Sequence, residues 1–354
     1  MNWIQIKTKL LRSFPPDARY LIGISGGRDS VVLLHWLISV GYKNLVVCHL
    51  NHQLRGQSSD ADTRFVEKLV ERYKQKSVGQ TLRPPGRQTG KRSVRPTKAA
   101  GHLDFEIGSA NVRAFAKKKK ISIETAAREA RYTFFARIAR RRRCHTIFLA
   151  HHADDLVETF LINLFRGAGS PGLAAIREIS TRRIHKVELT VMRPFLHVWR
   201  EEINDYVREH GLRFREDPTN KNLDPLRNRI RHQIIPYVEK ALSRNIRATI
   251  WRTAAIAAEE QHWMENDALL LQQVDVAAVT KNCGYLLVEK LRQLPVALQR
   301  RAILKWLRVQ NIAGVGFDVI ERVRSLAARE AHTAKVNLPK DRHARRRAGK
   351  IFIE

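Results

Sequence analysis

The sequence contains little cysteine and no long apolar run. Its three cysteines, Cys48, Cys144 and Cys283, lie far apart and form no CxxC pair. This pattern excludes a disulfide framework and favours a reducing, cytoplasmic setting. The longest apolar candidate, Val31–Val40, is too short to cross a bilayer, so we expect no membrane span. The first residues lack the basic-then-apolar pattern of a signal peptide, and we expect no export.

Acidic residues are also scarce relative to basic ones. The chain carries 65 Lys and Arg against 34 Asp and Glu, a formal net charge of +31. Such an excess carries no information about the fold but predicts attraction to a polyanion. Nucleic acid is the leading candidate and an anionic membrane surface the second. A basic bias shared by the whole lineage remains an open alternative.

Strand and helix patterns alternate through the first half of the chain. Leu45–Leu50 and Thr146–Ala150 have the composition of buried strands, and Asp60–Tyr73 has apolar residues at helical spacing. This alternation predicts an α/β fold, a doubly wound parallel sheet with helices on both faces. The pattern becomes mostly helical after Pro236. We therefore expect two domains, the first over residues 1–238 and a smaller, mostly helical one over 239–354.

Residues 74–103 interrupt the alternation. From residue 80 to 101 the segment contains no acid and is rich in Pro, Gly, Arg and Lys. That composition predicts a mobile, basic insert. A role in touching RNA and a merely solvated loop are both consistent with it.

The hexapeptide Ser25–Ser30, SGGRDS, lies between two apolar runs in a strand–turn–helix context. Glycines let a ligand approach the backbone, and the N–H groups that begin a helix attract anions. The segment lacks the Gly-Lys-Ser/Thr ending of the Walker loop. Asp29 suits either a Mg²⁺ ligand beside phosphate or a side chain that closes the turn. A turn without any ligand is the alternative.

The segment His151–Thr159, HHADDLVET, follows a predicted strand and opens a helix. Asp154 and Asp155 share a helix face with Glu158, because residues three and four apart are neighbours. Carboxylates in this arrangement bind Mg²⁺ or a substrate ammonium. Acidic capping of the first turn explains one of them but does not require all three. The sequence offers no Cys/His pair with zinc spacing.

Two further segments have ambiguous chemistry. Glu124, Arg128 and Arg131 fall on one face of a predicted helix, as phosphate-binding arginines or as a surface ion-pair ladder. The segment His49–Gly56, HLNHQLRG, follows the second strand. Because parallel strands end at the same edge of a sheet, these residues are expected near the SGGRDS turn.

Together these segments resemble the bacterial tRNA(Ile)-lysidine synthetases, a family of PP-loop ATP pyrophosphatases. The matching order is SGGRDS, HLNHQLRGQSSD, ETAAREARY, LAHHADDLVETFLINLFRGAGSPGL, MRPFL, DPTN and RNRIR. The resemblance covers most of residues 18–240 and, weakly, the tail. It implies that residues 1–238 form the PP-loop ATP-binding catalytic domain and that residues 239–354 form a tRNA-binding domain. It implies a PP-loop sheet of the adenine nucleotide alpha hydrolase-like type. It also implies a ligase that uses ATP and Mg²⁺ to join L-lysine to C2 of the wobble cytidine in tRNA(Ile) with a CAU anticodon.

The resemblance also assigns roles to residues. It implies catalytic roles for Asp29, Arg128, Arg131, Asp154, Asp155 and Glu158, and Mg²⁺ ligation by Asp29, Asp154 and Asp155. It implies ATP binding by Ser25, Gly26, Gly27, Arg28, Asp29, Ser30, His49, His52 and Arg55. The division of roles among the three acids of the helix stays open, as does a homodimer. The chain is expected to lack the further C-terminal domain of longer members.

The nearest alternative is another PP-loop tRNA-modifying enzyme, such as a thiolase. That chemistry generally needs paired reactive cysteines or an iron–sulfur site, which the isolated cysteines do not provide. A non-catalytic basic RNA-binding protein would explain the charge. It would not explain why three acids and two histidines follow the predicted strand Thr146–Ala150.

Overall fold

A computed structural model describes residues 3–54, 56–79, 102–216, 226–266, 284–312, 314–330 and 333–354. Its chain divides into two compact units. The first unit comprises Met1–Glu158 with Ile176–Arg247, and the second comprises Thr159–Ala175 with Ala248–Glu354. The domain division after residue 238 was drawn from composition and stays a prediction.

A six-stranded sheet forms the centre of the first unit, in the order β3-β2-β1-β4-β6-β5. All neighbouring pairs are parallel except β5 and β6, which are antiparallel. The strands are β1 Arg19–Gly23, β2 Asn44–Asn51, β3 His102–Ser109, β4 Thr146–Phe148, β5 Ile179–Ile184 and β6 Val187–Met192.

Helices cover both faces of this sheet. Successive side chains of a strand point to opposite faces. Accordingly, Leu21 and Val46 join one buried cluster, whereas Ile22 and Val47 join another. Both faces of the central strands are therefore buried, which explains why these strands are apolar without alternation. The predicted α/β, doubly wound class is confirmed.

The helices of the described ranges alternate with these strands and then continue into the second unit. In chain order they are α1 Trp3–Ser13, α2 Arg28–Ser39, α3 Gln57–Gly79, α4 Val112–Lys119, α5 Ile123–Arg142, α6 Ala153–Phe165, α7 Ser170–Leu173, α8 Arg200–Glu209, α9 Leu226–Arg229, a π-helical turn Ile230–Ile234, α10 Ile235–Leu242, α11 Arg247–Asn266, α12 Val288–Arg292, α13 Val296–Val309 and α14 Phe317–Ser325. No helix in the described ranges is long and apolar enough to cross a membrane.

The basic insert predicted at 74–103 falls largely outside the described residues. Helix α3 continues to Gly79, and β3 begins at His102 and pairs with β2 along its whole length. Both ends of the predicted insert therefore belong to regular elements. Its central part, 80–101, is not described, and its role stays a prediction.

The second unit contains helices and a four-stranded antiparallel sheet in the order β7-β10-β9-β8. The strands are β7 Tyr285–Leu287, β8 Lys335–Leu338, β9 Arg342–Arg347 and β10 Lys350–Ile353. The helices α12, α13 and α14 supply much of the core that packs with this sheet, including Trp306 and Val323. The expected helices are present. The four-stranded sheet goes beyond the mostly helical pattern that the sequence shows after Pro236.

Candidate active site

The SGGRDS turn connects β1 to α2 and is held by its own side chains. Ser30 Oγ donates to the Gly27 carbonyl at 2.8 Å and accepts from the Ser25 N–H at 3.2 Å. Gly26 lies at φ +89°, and a Cβ there would stand 3.3 Å from the Val66 side chain. Glycine is needed at this point. The turn delivers the positive N-terminal end of α2 to the carboxyl edge of the sheet.

A cavity of about 470 Å³ opens beside this turn. Its volume is in the range of small-molecule sites. Of the predicted residues, it is lined by Ser25, Gly27, Asp29, Ser30, His49, His52 and Arg131. Strand ends, the turn and one arginine of α5 therefore meet at one place, as expected for an open parallel sheet.

Several predicted residues lie elsewhere. Arg28 does not line the cavity but donates to Asn204 Oδ1 at 2.6 Å and stands over the Phe214 ring. Arg128 does not line the cavity either, and its guanidinium carbon stands 6.0 Å from the Tyr132 ring centroid. Gly26 gives the turn its positive φ but does not line the cavity. Arg55 lies outside the described residues, so its predicted role in ATP binding stays a prediction.

Two histidines lie at the end of β2: His49 belongs to the strand and His52 follows it. His49 is buried and bridges two elements, with Nδ1 2.9 Å from the Ile24 carbonyl and Nε2 3.1 Å from Thr63 Oγ1. Burial lowers its pKa below the ordinary value. Burial, aided by nearby Arg131, lowers the pKa of His52 to about 4. Both rings are therefore neutral near pH 7.

Arg131 contributes a desolvated positive charge to the cavity wall. Burial, together with nearby Arg128 and Arg227, lowers the pKa of Arg131, although guanidinium remains charged at neutral pH. A partly buried cation in a small cavity attracts phosphate or carboxylate more strongly than an exposed one. Of the two arginines predicted for the site on α5, Arg131 is the one that lines the cavity.

The HHADD segment is organised around His152, which is fully buried. Its Nε2 lies 3.8 Å from Asp29 Oδ2 and 3.5 Å from Asp155 Oδ2, and its Nδ1 lies 3.5 Å from Asp154 Oδ2. Burial lowers the pKa of His152, but these carboxylates outweigh burial and raise it overall. The three acids predicted as Mg²⁺ ligands thus surround one imidazole.

Arg200, at the start of α8, also joins this group. Its backbone N–H donates to Asp154 Oδ2 at 3.0 Å, and its Nη2 lies 2.9 Å from His152 Nε2 and 3.7 Å from Asp29 Oδ2. The sequence gives no sign of this role, because Arg200 stands in no recognisable motif. It links the SGGRDS turn to the beginning of α6.

The site has one feature suited to a cation. Asp29 Oδ1 is buried and has no hydrogen-bond partner among the described residues. No group of three His, Cys, Asp or Glu side chains in the described ranges is arranged to hold a metal unaided. Mg²⁺ is ordinarily held by one or two carboxylates together with substrate phosphates and water. The donor set therefore fits a metal that arrives with a nucleotide.

Glu158 is buried in α6 and is already paired. Arg231 Nε donates to Oε1 at 2.6 Å, and Arg231 Nη2 donates to Oε2 at 2.9 Å. Arg227 Nε stands 3.7 Å from Oε2. Burial raises the pKa of Glu158, which the hydrogen bond from Arg231 opposes. A lysine ammonium could reach this carboxylate only by displacing an arginine, so its predicted catalytic role stays a prediction.

Two further cavity residues, Arg215 and Asp62, stand in no motif that predicts a site. Arg215 forms an ion pair with Asp62, and its backbone N–H donates to the Gly26 carbonyl at 3.0 Å. Both side chains line the cavity. They are 153 residues apart in the chain, so no local sequence pattern predicts the pair.

Comparison with known proteins gives consistent results for both units. A model described as a PP-loop domain matches residues 3–238, well over half of the chain. A model described as the TilS substrate binding domain matches residues 286–352.

Three curated relatives carry the name tRNA(Ile)-lysidine synthase. A tRNA(Ile)-lysidine synthase of Geobacter sulfurreducens is 34% identical over 93% of this chain and 63% of its own length. One from Solibacter usitatus is 31% identical over 92% of this chain and 65% of its own length. One from Thermosynechococcus vestitus is 29% identical over 94% of this chain and 85% of its own length. The chain thus spans less than two thirds of the first two relatives. It belongs to the PP-loop domain family and groups within it with the tRNA(Ile)-lysidine synthases.

Proposed function

We propose that this protein is a ligase that modifies tRNA(Ile). It joins the ε-amine of L-lysine to C2 of the wobble cytidine in a CAU anticodon and consumes ATP. The cytidine O2 attacks the α-phosphorus and pyrophosphate leaves. The lysine nitrogen then attacks C2 and loses a proton, and AMP leaves with the former O2. The tRNA changes from reading AUG to reading AUA and from methionine to isoleucine charging.

The observation that supports this proposal most is the meeting of two motifs at one sheet edge. Asp29 of the SGGRDS turn and Asp154 and Asp155 of α6 surround His152 within 3.8 Å. An anion-binding turn next to an acidic cluster suits a reaction that handles a polyphosphate and an ammonium together.

The nucleotide would occupy the 470 Å³ cavity. The turn and the N-terminal end of α2 would receive its phosphates, and Arg131 would face the negative charge that develops at the α-phosphate. His49 fixes β2 against the end of β1 through Ile24 and thereby keeps the cavity wall in place. His52 lines the cavity as a neutral ring.

Mg²⁺, if bound with ATP, would neutralise phosphate charge next to Asp29, Asp154 and Asp155. Of these, Asp29 offers the oxygen without a hydrogen-bond partner among the described residues. Asp154 and Asp155 keep their pKa values below the ordinary range, because neighbouring His152 opposes the effect of burial. Both stay ionised at neutral pH and could also receive an ammonium.

The partner in this proposal is tRNA, and the setting is the cytoplasm. The net charge of +31 supports binding to a polyanion. The match to a substrate binding domain over 286–352 is consistent with a second contact surface. A homodimer is an assembly that the proposal allows.

ATP–pyrophosphate exchange, measured with and without tRNA(Ile), tests the proposal. Exchange that depends on tRNA(Ile) and needs no lysine is expected, because activation precedes lysine attack. Exchange without any tRNA would indicate a different acceptor. Sulfur incorporated into the tRNA in place of lysine would favour the thiolase alternative.

A further inference from the structure

The sheet of the second unit has two chemically different faces. Leu286, Ala344 and Ile351 are fully buried and mark the inner face, which packs on the core. Alternate residues of a strand point to the opposite side. Rings and basic side chains predominate on the outer face, and Glu354 follows β10 on the same side. The strand residues of this face are Tyr285, Leu287, Lys335, Asn337, His343, Arg345, Arg347, Lys350 and Phe352.

Four of these side chains form one row across all four strands. Lys335 pairs with Arg345, Arg345 pairs with Phe352, and Phe352 pairs with Tyr285. Neighbouring strands lie about 4.8 Å apart, so the row spans roughly 14 Å. It places two cations at one end and two aromatic rings at the other.

The arginines of the inner side have structural partners. Arg342 donates to the Gln310 carbonyl at 3.0 Å, and Arg346 donates to the Leu326 carbonyl at 3.1 Å. Arg292 donates to the Ala327 carbonyl at 2.6 Å. These carbonyls lie at the C-terminal ends of α13 and α14, which need donors. The fold therefore explains these three arginines without any ligand.

In the described ranges, the basic side chains of the outer face have no such structural role. Lys335, Arg347 and Lys350 are exposed. Arg345 lies 3.5 Å from Glu354, the single acid on this face, and Lys350 Nζ stands 4.3 Å from the Tyr285 ring centroid. A nucleobase that stacks on Tyr285 would take the place of the Lys350 ammonium, which lies at the end of a long, exposed side chain. The surface thus combines an excess of positive charge with flat rings.

We propose that this outer face binds an unpaired stretch of RNA. Tyr285 and Phe352 stack on bases, and Lys335, Arg345, Arg347 and Lys350 contact phosphates. Every base has a π-face, so such stacking tolerates many sequences, and four-stranded sheets with surface aromatics bind RNA in this manner. Bases in a duplex are already stacked and would meet only the cations. The proposal rests on the proposed function only in naming tRNA as the natural source of the RNA.

Binding of an eight-nucleotide oligouridylate, whose bases are essentially unstacked, and of a blunt eight-base-pair RNA duplex to the full chain tests this. The Tyr285→Leu/Phe352→Leu double variant keeps apolar bulk and loses both rings. It should bind the single strand at least about tenfold more weakly and the duplex about as well as the unchanged chain. The matched Tyr285→Phe/Phe352→Tyr variant keeps both rings and should bind both RNAs normally.

A second pair of variants keeps the test decisive if the leucine variant unfolds. Arg345→Gln and Arg347→Gln should weaken both RNAs alike and lower the salt slope for the single strand by about 0.7 for each lost contact. Unchanged single-strand binding by a folded leucine variant would overturn the proposal, as would equal losses for both RNAs. Unchanged binding and salt slope in both arginine variants would also overturn it. None of these readouts needs lysine or ATP, so failure of the proposed ligase activity would be seen separately.

Discussion

Arg231 donates two hydrogen bonds to the carboxylate of Glu158, 73 residues away in the chain. Glu158 is 1% exposed and Arg231 is 21% exposed. The pair ties the π-helical turn Ile230–Ile234 to α6, which carries the acidic cluster of the candidate site. The RNRIR motif therefore has a structural function at the site, whatever it contacts in RNA.

Glu158→Gln and Arg231→Gln should each destabilise the protein by about 3 kcal/mol, because each removes the directly hydrogen-bonded partner of a largely buried charge. What then remains is a more distant partner at 3.7 Å, Arg227 for Glu158 and Asp155 for Arg231. The double variant should lose little more than either single one. Denaturant unfolding of all three measures this coupling. Glu289→Gln removes an exposed ion pair with Arg292 and serves as the matched control, with a loss of at most about 1 kcal/mol. Additive losses would show that the two side chains act independently.

Asp29→Asn should reduce ATP–pyrophosphate exchange by about 100-fold or more, because it removes a charge next to the phosphates and any Mg²⁺. The unfolding midpoint should change far less than the exchange rate. Among the described residues, Asp29 Oδ1 has no hydrogen-bond partner and Asp29 Oδ2 makes only long ion pairs, 3.8 Å from His152 and 3.7 Å from Arg200. Asp205→Asn, on the exposed side of α8, is the control and should retain full exchange. Full exchange by the Asp29 variant at limiting ATP would refute the assignment of the turn.

His52 should make the stability of the free protein depend on pH. Its pKa is lowered to about 4 in the folded chain, against about 6.5 when unfolded. The unfolded state takes up the proton first, so the stability from this group is complete above pH 6.5 and is lost as the pH falls towards 4. His52→Asn should flatten the decline in urea midpoint over that range. His185→Asn, at an exposed turn, should leave the decline as it is; a decline unaffected by His52→Asn would contradict the prediction.

The basic insert should attract tRNA without selecting it. Removal of residues 80–101 should lower affinity modestly and about equally for tRNA(Ile) and tRNA(Met), because phosphate contacts carry no sequence information. Affinities for the two tRNAs at several salt concentrations measure this. If the deletion abolished discrimination between them, the insert would have to read bases.

Much of the site follows from local sequence. The SGGRDS turn and the HHADD helix start are predictable because glycine conformation, strand ends and helix starts are local properties. Arg200, Arg215 and the role of Arg231 are not predictable in this way. They reach the site through tertiary contacts with residues 46 to 153 positions away, which no periodicity encodes.

The second unit shows the same limit. Its helices have apolar residues at helical spacing, which the sequence reveals. Its sheet consists of strands of three to six residues, and β9 carries four arginines among six residues. Arg342 and Arg346 of β9 donate to carbonyls at helix ends, so one side of this basic run packs against the helices. The same run resembles a solvent-exposed turn when only the sequence is considered.

Incorporation of labelled lysine into tRNA tests the central claim most directly. With ATP and Mg²⁺ present, the full chain should attach one lysine to tRNA(Ile) with a CAU anticodon and release one AMP for each lysine attached. It should leave elongator tRNA(Met) unlabelled, although that tRNA carries the same anticodon. Absence of labelled tRNA(Ile) from a folded, ATP-binding protein, or AMP release without lysine attachment, would contradict the proposed function.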